Sequence, residues 1–254
     1  QGITSIDEVH LDDEDMTDGW SHADLSNNRL RSFLPAHDIR EELRCAFEGV
    51  ETLDVRKNPL TSFDGIDVRF PRCTSLDVSE STVDMSKCLS GAAAIPVGSM
   101  CSLSTLCATQ CGLKSIDLDS CIVEDTHAER RRRSSQQRSS AVAPPVITTS
   151  PALFGSLTTL DVGKNALEQL PRVSHCVHLT SLNISDNCIR SLHDISEALP
   201  LSLQSLHLER NFMDGGLSAL VPLAFLGQSL IRISIGDGNP NVFRSIPASS
   251  VTLW

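Results

Sequence analysis

The sequence predicts an α/β solenoid, with a curved parallel β-sheet on the concave face and short helices, 3₁₀ pieces and turns on the convex face. Eleven-residue segments with apolar residues at fixed positions recur along the chain. All but one pair of neighbouring segments begin 22 to 30 residues apart, and an asparagine occupies the same place in most of them. A repeat of this period is typical of proteins that stack one structural unit on the next.

The segments follow the pattern L-x-x-L-x-L-x-x-N-x-L, with other apolar residues at some leucine positions. Four match without gaps and begin at Val50, Leu157, Leu179 and Leu203. Weaker copies begin at Trp20, Cys73, Leu103 and Leu230. The alternating apolar residues predict a parallel strand that points its leucines into the core. The pattern resembles the leucine-rich repeat (LRR) family.

The asparagine of each repeat predicts a turn in which its side chain satisfies backbone groups of neighbouring coils. It occurs as Asn28, Asn58, Asn165, Asn187 and Asn211. Three repeats have Ser81, Cys111 and Gly238 at this place. Cysteine is tolerated there in the family pattern, whereas Ser81 and Gly238 predict a locally weaker ladder of side chains.

Two returning segments have apolar residues at helical spacing. Ile39, Leu43, Ala46 and Phe47, preceded by Pro35, predict an amphipathic helix. Leu217, Leu220, Val221 and Phe225 suggest a second one, with Pro222 at a kink or at the start of another helix. The 22-residue coil that starts at Leu157 has room only for a turn or a 3₁₀ piece.

Irregular coil lengths and short returns resemble the cytosolic LRR class named for a regulator of protein phosphatase-one, which also includes axonemal proteins. The resemblance covers about residues 20–245 apart from one insertion. It implies a protein-binding surface rather than catalysis.

Five regions are predicted along the chain. Residues 1–19 form an N-terminal cap, where Ile6, Val9, Leu11 and Met16 suggest a capping strand or hairpin. Repeats occupy 20–121 and 151–238, a low-complexity insertion occupies 122–150, and 239–254 form a partial C-terminal cap. Terminal coils differ from the middle ones because they must cover an open core.

The insertion explains the one spacing of 54 residues, between Leu103 and Leu157. It has few large apolar groups, a serine and glutamine bias and the run Arg130 to Arg133, and we predict that it is disordered. The arginines before Ser134 and Ser135 resemble a site for basophilic kinases, so both serines are candidate phosphorylation sites. The alternatives are a solvated loop without function, a nuclear signal, or a tether to an acidic surface.

The net charge and the number of cysteines limit which partners the protein can bind and in which cellular compartment it is expected. The net charge of −11 opposes binding to phosphate backbones, so nucleic acid is disfavoured except within a larger complex. No apolar run approaches the ~18 residues of a membrane span, which predicts a soluble protein without a membrane partner. Nine cysteines cannot all pair internally, and the flanking cysteine clusters of secreted LRR proteins are missing, so a reducing compartment fits best.

No sequence motif predicts a catalytic reaction or a bound ligand. The sequence has no G-x-S-x-G and no P-loop, and we predict a non-enzyme with no cofactor, metal or small-molecule substrate. Two groups have metal-binding residue types without ribbon or finger spacing, and we favour structural roles for both: Cys101, Cys107, Cys111 and Cys121, and His175, Cys176 and His178. The triplet Val68, Arg69 and Phe70 faintly resembles a phosphatase-docking peptide, but its apolar residues are expected to face the core.

The concave face is the candidate binding surface, because strand residues between the buried leucines point outward. Its central row reads Asp24, Asp54, Asp77, Cys107, Asp161, Asn183, His207 and Ser234. A second row reads His22, Thr52, Ser75, Thr105, Thr159, Ser181, Ser205 and Arg232. We predict that the partner contacts Asp24, Asp54, Asp77, Asp161, Asn183 and His207. The aspartates are expected to repel one another and to favour a basic or polar partner; the alternative is that aspartate is simply common at this LRR position.

The sequence therefore predicts a non-catalytic scaffold or assembly subunit that binds a protein on its concave face, in a cytoskeletal or axonemal complex. The alternatives are a regulatory subunit of a phosphatase and a protein component of a ribonucleoprotein complex. The predicted location is the cytoplasm, including cytoskeletal or flagellar structures, in preference to the nucleus.

Overall fold

Eight parallel strands form one sheet in which every strand pairs with its neighbours in chain order. The computed structural model describes residues 2–9, 20–34, 41–63, 65–81, 102–119, 154–236, 238–239 and 242. The strands are β1 (His22–Asp24), β2 (Thr52–Asp54), β3 (Ser75–Asp77), β4 (Thr105–Cys107), β5 (Thr159–Asp161), β6 (Ser181–Asn183), β7 (Ser205–His207) and β8 (Arg232–Ser234). We number the coils 1 to 8 after these strands. The predicted LRR solenoid is confirmed.

Each strand places its middle residue in the core. Leu53, Leu76, Leu106, Leu182 and Leu206 have no exposed surface. They pair directly across neighbouring strands, for example Leu53 with Leu76, so the core is a continuous column of leucines beneath the sheet. Burying one such side chain contributes about 1.5–3 kcal/mol, and the column therefore joins the coils into one body.

Asparagine side chains bind adjacent coils together at the turn after most of the strands. The Asn58 amide nitrogen donates to the carbonyl oxygens of Leu25 in the preceding coil, at 2.8 Å, and of Val55 in its own coil, at 2.9 Å. Its oxygen accepts the Leu30 N–H at 3.0 Å. Asn165, Asn187 and Asn211 repeat the arrangement. The predicted asparagine ladder is confirmed.

The exceptions to asparagine behave differently from one another. Ser81 has a shorter side chain without an amide, and its hydroxyl donates to the Asn58 carbonyl oxygen at 2.8 Å. The Cys111 thiol lies within 3.3 Å of the Val78 oxygen and 3.4 Å of the Thr109 oxygen, so it partly replaces the amide.

The prediction that Gly238 stands at the asparagine position of the last repeat is wrong. Asn239 occupies the site, because its amide donates to the oxygens of Leu208 and Ile235. Coil 8 therefore contains one residue more before its asparagine than the other coils. Gly238 has a φ of +98°, and a Cβ there would lie 2.5 Å from the Arg210 Cγ, so this longer turn requires glycine at 238.

One residue before the asparagine, the backbone is left-handed in seven coils. These residues are Asn27, Lys57, Glu80, Gln110, Lys164, Asp186 and Arg210, with φ between 50° and 59°. Their side chains line up from coil to coil at the tips of the turns. Lys57 lies 3.7 Å from Glu80, and Arg210 donates to Asp186, so opposite charges join adjacent coils at this edge.

Short helices occupy some of the convex returns. They are α1 (Glu41–Glu48), α2 (Ile66–Arg69), α3 (Ile195–Ala198) and the 3₁₀ helix η2 (Gly216–Leu226). The helix expected around Ala46 and Phe47 is present, and both residues are buried. Pro35 and Ile39 lie outside the described residues. The return of coil 5 contains turns and one isolated bridge, between Arg172 and Asp117, and no helix, in keeping with its short length.

The second expected helix is present as η2, but it buries a different face. In a 3₁₀ helix every third residue lies on the same side. Leu220, Leu223 and Leu226 follow this period and pack on the core. Val221 and Phe225 lie on the other sides of the helix and are exposed, and Leu217 is exposed at its first turn. The α-helical spacing of Leu217, Val221 and Phe225 therefore did not predict a buried face. Pro222 lies inside the 3₁₀ helix rather than at a kink.

Most of the two predicted caps and the whole insertion at 122–150 lie outside the described residues. Within 2–9 the structure has a 3₁₀ helix, η1 (Ile6–Glu8), instead of the expected strand or hairpin. Ile6 is fully buried against the first coil, so this segment covers part of the core as a cap does. Among the described residues, no helix is long and apolar enough to cross a membrane.

Candidate functional site

The central row of the concave face is aligned strand by strand. Asp24 pairs with Asp54, Asp54 with Asp77, Asp77 with Cys107, and Cys107 with Asp161. Asn183, His207 and Ser234 continue the row in the same register. The predicted alignment is confirmed, and neighbouring members are separated by roughly one strand spacing, ~4.8 Å.

Each acidic or amide side chain of the row accepts the backbone N–H two residues further on. Asp24 accepts from Ser26, Asp54 from Arg56, Asp77 from Ser79, Asp161 from Gly163 and Asn183 from Ser185, all at 2.9–3.0 Å. This bond closes the turn that ends the strand. For Asp24, it lowers the pKa of the carboxyl group. The recurrence of Asp and Asn here therefore has a structural cause whether or not a partner binds.

Arg56 neutralises part of the row. Its guanidinium donates to both carboxylate oxygens of Asp54, at 2.6–3.0 Å, and its Nε lies 3.7 Å from Asp77. The ion pair with Asp54 raises the pKa of Arg56. The expectation that neighbouring aspartates simply repel one another is wrong at coils 2 and 3, because Arg56 lies beside both carboxylates.

Cys107 interrupts the acidic row at its centre. It is half-buried, and burial, followed by the negative charges of Asp77 and Asp161, raises the pKa of its thiol to about 11. The thiol is therefore neutral at physiological pH. Asp77 and Asp161 flank it at a separation of roughly two strand spacings, ~9.6 Å.

The row becomes less acidic towards coil 8. The Asn183 amide donates to Asp161 at 3.0 Å. The Ser205 hydroxyl lies 3.3 Å from His207 Nε2, and His207 Nδ1 lies 3.9 Å from Glu209. The second distance is too long for a hydrogen bond, so Glu209 does not orient the imidazole as a catalytic triad would require. Ser234 donates to Glu209 instead.

Hydroxyl groups form a second ladder at the start of the strands, which we did not predict from the sequence. The hydroxyls of Thr74, Ser104, Thr158 and Thr180 each donate to a carbonyl oxygen of the preceding coil, at 3.0–3.3 Å. The signal was a Ser or Thr directly after the first apolar residue of the repeat. The next row, which includes Thr105, Thr159 and Ser181, faces the concave side beside the aspartates.

The remaining candidate motifs do not form sites in the described residues. Phe70 is 2% exposed, but Val68 is 64% exposed, so the expectation that both apolar residues face the core is wrong for Val68. Because Phe70 is buried, the triplet cannot dock as a free peptide. Cys111 has the turn role expected for it, and Cys176 is buried. Within the described ranges, no three His, Cys, Asp or Glu residues are grouped as metal ligands. Cys101, Cys121, Ser134 and Ser135 lie outside those ranges.

No protein-family model and no curated protein matches the sequence. Among solved structures, the fold is similar to that of human trophoblast glycoprotein, also called Wnt-activated inhibitory factor 1. The identity is 21%, the TM-score is 0.51, and the match covers 87% of this chain and 70% of that chain. It is also similar to TLR13 in its complex with ssRNA13, at 16% identity and a TM-score of 0.52, over 87% of this chain and 30% of that one. These similarities support the LRR fold.

Proposed function

We propose that this protein is a non-catalytic scaffold or assembly subunit that binds another protein on the concave face of its sheet. The aligned central row carries the proposal, above all Asp77 and Asp161 on either side of Cys107. One oxygen of each carboxylate accepts a backbone N–H, and both side chains remain partly exposed. The pair presents two carboxylates on an ordered surface, and Arg56 lies 3.7 Å from the first of them, Asp77.

The partner is a protein with a basic or polar surface. The net charge of −11 and the carboxylates of the row favour lysine or arginine side chains and oppose phosphate groups. Facing side chains in coils 3 to 6 are small: Ser75, Asp77, Thr105, Cys107, Thr159, Asp161, Ser181 and Asn183. A partner segment that lies across the strands could therefore approach the backbone closely and meet one coil per ~4.8 Å of its length.

The proposed setting is a cytoplasmic complex, with a cytoskeletal or flagellar assembly as the narrower form of the proposal. It rests on the resemblance of the irregular repeats to cytosolic LRR proteins and on the nine cysteines, an odd number that cannot all pair within the chain. Cys73, Cys107, Cys111 and Cys188 are free thiols.

Affinity purification with cross-linking would identify the partner, and paired substitutions would test the surface. Asp77→Asn with Asp161→Asn keeps the hydrogen bond of each side chain to the backbone and removes two charges. We expect slower association and weaker salt dependence, because loss of two carboxylates weakens the long-range attraction of a basic partner. The control is Glu168→Gln with Glu197→Gln, which removes two exposed charges away from the strands.

Arg56→Gln provides the opposite test. It frees Asp54 and Asp77 from their cation, so a basic partner should associate faster at low salt. If the partner binds both the Asp77→Asn/Asp161→Asn variant and Arg56→Gln like the wild type, the concave row is only a structural feature, and the proposed surface is wrong.

A further inference from the structure

The arginine of coil 2 shows how the central row holds a cation. The Arg56 guanidinium donates to both carboxylate oxygens of Asp54, and its Nε lies 3.7 Å from Asp77. The hydrogen bond to Asp54 raises the pKa of Arg56 most, and the negative charges of the row, including Asp24, raise it further. One cation therefore compensates part of the negative charge on the first three strands of the sheet.

Coil 5 has a carboxylate in the same row, Asp161, but no cation beside it. Gly163 stands where coil 2 has Arg56, so the turn supplies no guanidinium. Asp161 forms no ion pair with any residue that the structure describes. Its neighbours in the row are the neutral Cys107 and Asn183. Within the described part of the chain, Asp161 is therefore a negative charge without a counterion.

Two hydrogen bonds hold the Asp161 carboxylate in place through one of its oxygens. Its Oδ1 accepts the Gly163 N–H and the Asn183 amide, both at 3.0 Å. A Cβ on residue 163 would lie 3.3 Å from both Asp161 Oδ1 and Asn183 Nδ2, so glycine lets these two atoms lie close to the backbone. Oδ2 accepts no hydrogen bond from the described residues. Since each carboxylate oxygen has about two acceptor sites, Oδ2 remains able to bind a donor from a partner.

A protein that covers coil 5 must replace the water around this oxygen. A buried acceptor without a donor costs free energy, and an ionised group costs far more than a neutral one. The side chains next to Asp161 are small and half-buried, and they include Cys107, Thr159 and Asn183. They leave a partner access to the carboxylate. Charge complementarity thus selects a cation for this position.

We propose that the partner places one basic side chain, an arginine or a lysine, on the Asp161 carboxylate, as Arg56 lies on Asp54 in coil 2. The inference rests on the proposed binding at the concave face, and it assigns the main cation contact of that face to coil 5. Asp54 already has Arg56 as its counterion, and Asp77 lies beside the same guanidinium. A basic side chain therefore gains less at coils 2 and 3.

A short peptide tests the contact on the full chain by nuclear magnetic resonance. The probe is Ser-Gly-Arg-Gly-Ser with blocked ends, and its matched control carries citrulline, which has the shape of arginine without the charge. With the arginine peptide we expect saturable shifts of the Gly163 backbone amide and the Asn183 side-chain amide, because both donate to Asp161. The backbone amide of Arg56, which donates to Asp54, should shift less.

Asp161→Asn keeps an acceptor for the Gly163 N–H and removes the charge, so it should weaken the affinity for the arginine peptide several-fold. Glu168→Gln, which removes an exposed charge away from the strands, should leave the affinity unchanged. The absence of a saturable shift, equal binding of the citrulline peptide, or larger shifts at coils 1 to 3 would overturn the proposal. These comparisons use the wild type, so they hold even if Asp161→Asn does not fold.

Association of the purified partner separates this inference from the proposed function. If Asp161→Asn alone slows association almost as much as Asp77→Asn with Asp161→Asn, both are supported. If only the double variant has an effect, the concave face is the binding surface, but this inference is wrong. If neither variant has an effect, the proposed function fails as well.

Deletion of Thr126 to Thr149 tests for a cation from the same chain. The Gly163 amide should keep its position in the absence of peptide when this segment is removed. A shift of that signal would mean that arginines of the chain itself occupy Asp161, and it would overturn the proposal.

Discussion

The side-chain oxygen of Asn187 accepts the backbone N–H of Leu167 from the preceding coil at 2.9 Å. The amide nitrogen of the same residue donates to the carbonyl oxygens of Val162 and Ile184. Asn187 is 2% exposed, so water cannot replace these bonds. One side chain thus satisfies buried backbone groups in two coils, which explains why the repeat requires an amide here.

Asn187→Ala should destabilise the protein by about 2–4 kcal/mol, because it leaves a buried N–H and two carbonyl oxygens without this partner. Urea unfolding followed by circular dichroism measures the loss. Gln204→Ala removes an amide from an exposed position and should change stability by less than about 0.5 kcal/mol. Equal effects of the two substitutions would contradict the structural role of the ladder.

Leu182→Ala should cost ~2–5 kcal/mol, since Leu182 is fully buried between complete neighbouring coils and leaves a cavity. The same unfolding measurement applies. Val177→Ala in the same part of the chain is the control, because Val177 is 61% exposed and its truncation opens no cavity. A small loss for Leu182→Ala would mean that the coils collapse around the missing side chain.

Deletion of Thr126 to Thr149 should move the thermal midpoint little. The entropy of closing a flexible loop grows only with the logarithm of its length, so its removal changes folding free energy slightly. Differential scanning calorimetry compares the deletion with the full chain. A large fall in the midpoint would show that the segment packs on the solenoid. If it binds an acidic partner, substitution of Arg130 to Arg133 should reduce that binding and leave the midpoint unchanged.

Stability should depend on pH through Asp186. Hydrogen bonds from Arg210 lower the pKa of the Asp186 carboxyl group in the folded protein. The ion pair therefore stabilises the fold above the unfolded pKa, and this contribution is lost as the pH falls through the folded pKa. Asp186→Asn should cost about 0.2–1 kcal/mol at neutral pH, because Arg210 is more than half exposed and water screens the pair. The substitution also keeps a residue that tolerates the left-handed backbone.

Urea titrations of wild type and Asp186→Asn across acid pH test this expectation. The stability difference should shrink towards zero below the pKa of the folded carboxyl group. Glu168→Gln serves as the control, since Glu168 is exposed. A difference that stays constant down to strongly acid pH would assign the effect to packing rather than charge.

Alkylation should distinguish Cys107 from Cys45. Only the thiolate reacts, and burial raises the pKa of Cys107 to about 11, whereas Cys45 is exposed on α1. Iodoacetamide at mildly alkaline pH should therefore label Cys45 well before Cys107. Peptide mass spectrometry over time measures both rates in one sample. Labelling of the unfolded protein, in which both thiols should react faster, gives the reference rates. Similar rates for Cys107 and Cys45 in the folded protein would contradict the described environment of Cys107.

The strands, their order and their register could be predicted because each depends on local repetition. Leu53, Leu160 and Leu182 recur at one position, and a coil of ~24 residues can place them side by side in only one way. The alignment of Asp54, Asp77 and Cys107 follows from the same register. The row was therefore predictable residue by residue, although its role as a binding site remains a prediction.

The charge of that row could not be predicted from the row alone. Arg56 lies two positions after Asp54, and only the turn geometry brings its guanidinium onto Asp54 and towards Asp77. The hydroxyl ladder is similar, because Thr74 and Ser104 bind carbonyl oxygens of other coils that are 23 and 30 residues away. These bonds depend on the distance between coils, which cannot be derived from the sequence.

The sequence by itself determined the repeat, the leucine core, the eight strands and most rungs of the asparagine ladder. These features follow from a period in the chain and from the need to bury apolar groups and pair backbone groups. Only the tertiary structure decided which face of η2 is buried and that Asn239, not Gly238, forms the last rung. In both cases the chain departs from the regular period, and contacts with the neighbouring coil, through Leu226 and through the Leu208 carbonyl oxygen, select the conformation.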